Sequence, residues 1–393
     1  MSESSTLITS YAPARSSGTG LRTCGVIDAL ARHGPVTVAY VPFDGEEPAS
    51  DLLENPRITL RPIVPSRGPG RALAALRALA RGAPWSLAKA ASAEAVAVAE
   101  RAEAHERVIA DGPTMATALL GLAARRPLTY LSHNVESSFR GTWVLRRFER
   151  RILRTFATSW MASRPDVARA RDLAGPHATT PAGAQIDVVY VPNVIDVAAL
   201  GPCAAHRGGE RILFVADFTY LPNRNGLAFL LDEVMPLVWE RLPEAHLLLV
   251  GRGVNRAPED RRVEVLGFVE HLGDAYAQAD CAAVPLLQGG GSPLKFIEAM
   301  AHGLPVVATP RAAAGLEVRA DEHFLQADGA EPFAQALVQA LSGGAGDLGA
   351  RARALVESSY SIEALAEILA PVASQAEDAS KAEGASKLRT PQS

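Results

Sequence analysis

"CAAVPLLQGGGSPLKFIEAMAHGLPVVATP" (281–310) reads as strand, glycine turn, helix, strand. The apolar runs "CAAVPLL" (281–287) and "LPVVAT" (304–309) are of strand length, and 292–302 between them has the pattern of a helix. Two strands joined through a helix lie parallel, since a parallel pair needs a crossover connection. Gly289, Gly290 and Gly291 let the backbone turn tightly and come close to a ligand. Ser292 is expected to cap the helix and Pro293 to take its first position, with Gly303 at its end.

The same grammar runs along most of the chain. Strands are expected at "TLITSYA" (6–12), "VTVAYV" (36–41), "RVIADG" (107–112), "LTYLSH" (128–133) and "SWMAS" (159–163). A second set is expected at "RILFVADF" (211–218), "HLLLVG" (246–251), "VEVLGFV" (263–269) and the two runs already quoted. Helices are expected between them, among them 21–34, 71–82, 224–241, 272–279, 292–302 and 331–342. This alternation means an α/β fold with two Rossmann-like domains of about five or six strands, facing a cleft. "VVYVPNVIDVAALGP" (188–202) reads as their connection. The expected domains are 1–195 and 196–373, with a last helix that can cross back to the first domain. A polar, low-complexity tail at 374–393 is expected to be disordered.

Composition narrows the function. The 393 residues suit two domains, and a formal net charge of −4 does not fit a general nucleic-acid binder. Cys24, Cys203 and Cys281 lie far apart without a CxxC, which fits a reducing cytosol. The first ten residues lack the features of a signal peptide, and no run approaches the roughly 20 apolar residues of a membrane span. A cytoplasmic protein is expected.

Only four lysines occur: Lys89, Lys295, Lys381 and Lys387. Lys295 stands in the first turn of the 292–302 helix, where the helix dipole favours an acid, and Glu298 follows one turn deeper. Two readings are open. The pair can be a surface i,i+3 ion pair worth a few tenths of a kcal/mol. Alternatively the ammonium serves a diphosphate at the helix N-terminus and the carboxylate serves two ribose hydroxyls.

"GSPLKFIEAMAHGLPVVATPRAAAGLE" resembles the donor-site segment of family-four, group 1 glycosyltransferases with the GT-B fold. Residues 213–253 and 263–286 resemble the neighbouring segments of that family's C-terminal domain. "VYVPNVID" (189–196) resembles its interdomain element. The likeness runs over about 5–370 and is closest to bacterial exopolysaccharide sugar transferases. It implies a hexosyltransferase-like enzyme that takes a nucleoside-diphosphate sugar and a glycan, lipid-linked or small-molecule acceptor, in polysaccharide or glycolipid synthesis. It further implies retention at the anomeric carbon by front-side attack. On this likeness Lys295 binds the diphosphate, Glu298 the ribose, and Gly290, Gly291 and Ser292 line the donor loop.

The chain departs from the family in three places. The first acid of a Glu-x7-Glu pair would fall at Gly290, so Gln288 or backbone N–H groups are the candidate replacements. A Lys-Gly of many relatives is Asn225-Gly226 here, with Arg224 as a stand-in cation. The linker glycine is Val194. Two rival functions stand beside the transferase: a nucleotide-sugar 2-epimerase on the same scaffold, which would need extra carboxylates near the donor sugar and against which Gly290 argues, or a non-catalytic nucleotide-sugar-binding partner of another transferase, to which the missing first acid points.

In the first half, Gly18-Thr19-Gly20 opens a helix carrying Arg22. It is either an ordinary strand-to-helix turn or, as the resemblance implies, a loop near the diphosphate and acceptor. His133 in "LSHNVESS" (131–138) ends an expected strand. It is either a structural histidine or, by resemblance, the catalytic group near the transferred sugar, with Glu136 to orient it; imidazole handles protons near neutral pH. "RGTWVLRRFERRILRTFATSW" (140–160) is basic and amphipathic, with Val144, Phe148, Ile152 and Phe156 four apart. It is either a domain helix with a solvated arginine face or a peripheral contact, through 140–156, with the inner face of the membrane. There is no Asp-x-Asp, Walker lysine loop or HExxH, so no metal or other cofactor is expected.

Overall fold

The computed structural model describes residues 3–42, 47–64, 68–80, 83–84, 87, 93–135, 143–200, 209–254, 259–269, 271–289 and 291–370. Two wholly parallel sheets carry the fold. The first contains β1 (Ser5–Thr9), β2 (Val36–Tyr40), β3 (Ile58–Pro62), β4 (Arg107–Asp111), β5 (Thr129–Leu131), β6 (Thr158–Met161) and β7 (Asp187–Tyr190), in the order β3-β2-β1-β4-β5-β6-β7. The second contains β8 (Arg211–Val215), β9 (His246–Val250), β10 (Val263–Gly267), β11 (Cys281–Val284), β12 (Val306–Ala308) and β13 (Leu325–Gln326), in the order β10-β9-β8-β11-β12-β13. The two Rossmann-like sheets are the fold class that the alternating pattern predicts.

By spatial proximity the chain divides into Met1–Thr129 with Ile362–Ser393, and Tyr130–Ser361. In the first unit the Ile362–Leu369 helix lies on the Gly18–Ala31 helix. His33 Nε2 is 2.7 Å from the Ala366 carbonyl oxygen, and Arg32 pairs with Glu363 at 2.9 Å. In the second unit the core wraps both faces of the second sheet. Ile212 and Phe214 of β8, Leu247 and Leu249 of β9, and Cys281 and Ala283 of β11 point to one side. Leu213, Leu248, Val250, Ala282 and Val284 point to the other. A parallel sheet buried on both faces therefore reads as continuous apolar sequence, because each alternate residue meets a helix.

Four elements differ from their expected form, among them β13, a two-residue strand at the edge of the second sheet for which no strand was expected. β3 was not anticipated: "ITLRP" is an edge strand, mostly exposed, and its Pro62 is tolerated there. β7 occupies the start of the expected connection, so that connection begins only at Val191. The helix expected at 224–241 is three pieces: Leu221–Phe229, a π turn at Leu230–Val234, and Met235–Arg241. Pro236 has no N–H to give the residue four before it, and the widened turn absorbs that loss. Cys24 and Cys281 are buried free thiols. Cys203 and the tail at 374–393 lie outside the described residues.

Phe333 is fully buried and meets Phe229 edge-on at 5.8 Å, joining the Ala330–Leu341 helix to the helix after β8. Truncation leaves a cavity with little freedom to collapse. Phe333→Ala is expected to destabilise the protein by about 3–5 kcal/mol, read as a lower denaturant midpoint in chemical unfolding.

Candidate functional site

In the second sheet the chain runs from β8 outward to β9 and β10, then returns to β11 on the other side of β8. The connections after β8 and β11 therefore diverge, and a crevice opens at the carboxyl ends of these two strands. Two helices start at its rim. Leu221–Phe229 follows β8, and Leu294–Ala301 follows β11. Lys295 and Glu298 both lie on the second of these.

The two charged side chains do not pair with each other: among the described residues no ion pair joins Lys295 to Glu298. The surface-pair reading is thereby excluded. Lys295 Nζ donates to Asn223 Oδ1 at 2.6 Å and sits 5.0 Å from the centre of the Phe214 ring. Glu298 Oε2 accepts from the Tyr276 hydroxyl at 3.3 Å, and Tyr276 in turn stacks on His302 at 4.5 Å. Each charged group keeps some exposed surface, though protein surrounds it on most sides. Desolvation pushes the Lys295 ammonium down to about 7, with the Glu298 charge opposing. It pushes the Glu298 carboxyl up to about 7, against the Tyr276 hydrogen bond and the Lys295 charge. Both groups thus stand where a bound ligand of the right charge can settle their state.

The loop ahead of this helix is held rigidly. Thr309 Oγ1 donates to the Leu286 carbonyl at 2.6 Å, and Asn193 Nδ2 donates to the Ser292 carbonyl at 2.6 Å. Gly315 lies so close that a Cβ there would overlap the Gly291 carbonyl oxygen. The expected Ser292 cap does not form. Pro293 is the N-cap, with no side-chain cap bond, so the helix begins one residue later than the sequence implied. Ser292 Oγ is instead buried with no partner. Its position beside the first turn leaves the free N–H groups of the helix unobstructed.

His133 lies two residues beyond the end of β5 and is half-buried. Its neighbour Asn134 approaches the glycine loop: a Cβ on Gly291, whose φ is +81°, would come within 2.5 Å of Asn134 Oδ1. Within this one unit the "HN" loop and the donor-type loop are thus brought together. Gly290 and Glu136 lie outside the described residues.

Gly18 and Gly20 belong to the other unit, at the start of the Gly18–Ala31 helix. Ser17 caps that helix by accepting the Gly20 N–H, and a side chain at Gly20 would overlap the Ala14 carbonyl. Arg22 is buried within the helix. The proposed stand-ins Arg224 and Gln288 are both exposed, and it is Asn223, beside Arg224, that meets Lys295. Val194 is buried. Among the described residues no cluster of three His, Cys, Asp or Glu has the spacing of a metal site.

The sequence reading missed Asn223, Tyr276 and Asn193. Asn193 and Asn223 each follow a proline, in "VPN" and "LPN", at the mouth of a strand. A small amide at such a turn is the signal that was available. Nothing in "DAYAQAD" marks Tyr276.

Residues 209–343 match the family described as glycosyl transferases group 1. Phosphatidyl-myo-inositol mannosyltransferase of Mycobacterium leprae is 33% identical over 172 residues, covering 39% of this chain and 44% of that protein. The Mycobacterium tuberculosis protein of the same name is 35% identical over 135 residues, with 31% and 35% covered. The chain thus spans less than half the length of these curated relatives. Among solved structures, Anabaena HepE in complex with UDP has a TM-score of 0.67 at 14% identity, covering 94% of this chain and all of the other. Sucrose-phosphate synthase from Thermosynechococcus elongatus gives 0.68 at 19% identity, with 96% and 100% covered. The fold is shared along nearly the whole chain, and the likeness to group 1 glycosyl transferases is carried by residues 209–343.

The raised Glu298 carboxyl has a measurable consequence. Between its ordinary value of 4.5 and about 7 the folded protein holds this proton more tightly than the unfolded chain does. The stability it contributes is present at low pH and lost as pH rises through about 7. Glu298→Gln removes that dependence. The Tm of the variant relative to the parent is expected to be higher at pH 7.5 than at pH 5, by differential scanning calorimetry without ligand.

Proposed function

We propose that this protein transfers a sugar from a nucleoside-diphosphate sugar to an acceptor, with the donor bound at the switch point of the second sheet. The observation that carries this is the pair Lys295 and Glu298, one turn apart at the crevice and not paired with each other. The ammonium faces the diphosphate, the carboxylate the ribose. The free N–H groups at the start of the Leu294–Ala301 helix add their partial positive charge. These groups neutralise the departing diphosphate without a metal ion. The acceptor hydroxyl attacks from the face the diphosphate leaves, so configuration is retained, and charge builds on the sugar ring as the glycosidic bond breaks. His133 is the catalytic group beside that sugar. The meeting of Asn134 with Gly291 supports this role, because it brings the histidine loop to the donor loop.

The acceptor class is a membrane-borne or growing glycan of a surface polysaccharide or glycolipid. The mannosyltransferase relatives, whose named substrate is a phospholipid, favour a membrane-borne acceptor and make mannose one sugar to test. The Trp143–Leu153 helix supports a peripheral contact with anionic lipid at the cytoplasmic face. Its Phe148 and Ile152 are buried, as is Phe156 just beyond it, whereas Trp143 is 73% exposed and Val144 43%. Arg146, Arg147, Arg150, Arg151 and Arg154 make the rest of the outer face. No helix among the described residues is long and apolar enough to cross a membrane.

Two experiments test this reading. In a thermal-shift panel of UDP, GDP, ADP and TDP, at least one nucleotide raises the Tm by mass action. Lys295→Ala and Glu298→Ala each abolish the shift while remaining folded, and His133→Ala keeps the shift but loses donor hydrolysis and transfer. Nucleotide binding that is unchanged in the first two variants refutes the donor site; binding with no turnover across donors and acceptors refutes the transferase. Co-sedimentation with phosphatidylglycerol vesicles, but not with phosphatidylcholine ones, is expected. It falls with salt and with Arg146→Glu/Arg147→Glu/Arg150→Glu, since each surface arginine contributes about 1 kcal/mol. Equal binding to both vesicle types refutes the lipid contact.

A further inference from the structure

We infer that Asn223 is a positioning residue that holds the Lys295 ammonium toward the diphosphate and off Glu298. This deepens the donor-site reading above and rests on it. Asn223 is buried and fixed at both ends of its amide. Its Nδ2 donates to the Asp217 carbonyl at 2.7 Å and its Oδ1 accepts from Lys295 Nζ at 2.6 Å. It therefore ties the loop after β8 to the helix after β11, across the point where the two connections diverge.

The neutrality of this tie is what matters. The nearest acid on the same loop, Asp217, is turned elsewhere: its carboxylate accepts from Thr219 and pairs with Arg252 at 3.1 Å, and only its backbone carbonyl reaches Asn223. Among the described residues Lys295 thus has a hydrogen-bond acceptor but no ion-pair partner, and the Glu298 charge acts on it only from one turn away. The charge it carries is not spent on an ion pair with this neighbour. An aspartate at 223 would offer an equally good acceptor and cancel that charge. Without any acceptor at 223, the flexible lysine stem is free to reach Glu298, its i+3 neighbour on the same helix face. The ion pair formed would occupy both ligand-binding groups. Tyr276 acts in the same sense on the other side, as a neutral donor to Glu298.

A double-mutant cycle separates this role from a structural one. Calorimetric titration with UDP and GDP is carried out on the full chain, on Asn223→Ala, Asn223→Asp and Lys295→Ala, and on the two double variants. Asn223→Ala and Asn223→Asp are each expected to weaken the nucleotide bound by the parent about tenfold or more, and to have no further effect in the Lys295→Ala background, titrated at millimolar nucleotide where the residual affinity left below the thermal-shift range is read. A structural role would cost the same in both backgrounds. The scarcity of lysine adds a direct readout. With four lysines in the chain, 13C-lysine labelling gives few signals, and Lys295→Ala assigns the one at the site. The titration midpoint of that signal is expected to move up by about one pH unit or more in Asn223→Asp, as an adjacent carboxylate favours the charged form. Unchanged affinity in both Asn223 variants, an equal loss in the Lys295→Ala background, or an unmoved midpoint overturns the inference. If the parent binds none of the four nucleotides tested above, the donor-site reading itself fails, a result distinct from any of these.

Discussion

The Lys295 amine stands at the crevice between β8 and β11 with no carboxylate in contact among the described residues. Burying a charge without a partner is costly, and proteins ordinarily answer it with an ion pair or let it lose its proton. Here Lys295 has a neutral amide and an aromatic face, and desolvation draws it toward neutrality. Three residues on, Glu298 is in the mirror situation with a phenol for a partner. The obvious relief, a salt bridge between the two, is not taken. The unliganded site is thus held short of its electrostatic optimum, and the donor of the proposed function, an anion with neighbouring hydroxyls, is a ligand that would supply what is missing.

Such a site works only if its surroundings cannot relax. A loop free to move would let Lys295 or Glu298 find another partner. The contacts around 286–293 prevent this by fixing carbonyls rather than side chains: Thr309 on Leu286, Asn193 on Ser292, and the bare Cα of Gly315 against Gly291. Each is a short hydrogen bond or a close backbone approach that a longer residue would break. Behind them the sheet is sealed on both faces by apolar clusters, so the strand ends that carry the loops are rigid. Preorganised polar groups of this kind need not reorganise when charge arrives.

The fold was legible because both faces of a parallel sheet are covered. Runs such as "RILFV" and "HLLLV" could be nothing else once their helix-length spacing was recognised. Strands that escape this rule were missed: β3, β7 and β13 all lie at sheet edges, and β13 has only two residues. Lys295 and Glu298 were also legible, from their spacing after a glycine turn. Their partners were not. Asn223 is 72 positions from Lys295 and Tyr276 is 22 from Glu298, and only the order of the strands brings them together. Local rules failed at Ser292 for a related reason. A serine before a helix favours capping, but here Pro293 is the N-cap, the Ser292 carbonyl accepts from Asn193 of a distant segment and the Ser292 hydroxyl is buried without a partner.

The departure at Asn225-Gly226 acquires a meaning from this geometry. Where many relatives resemble one another in placing a second cation, this chain's helix after β8 presents a neutral amide two residues earlier, at Asn223, and the exposed Arg224 does not reach Lys295. On the proposed function, Lys295 and the helix N-terminus then carry more of the diphosphate charge. With two cations, partial loss of charge at one is tolerable. With a single one, whose ordinary proton affinity is already lowered by burial, any acid at its side would remove most of the attraction for the ligand. A neutral partner at 223 and a single cation at 295 are consequently not independent choices: the second makes the first necessary.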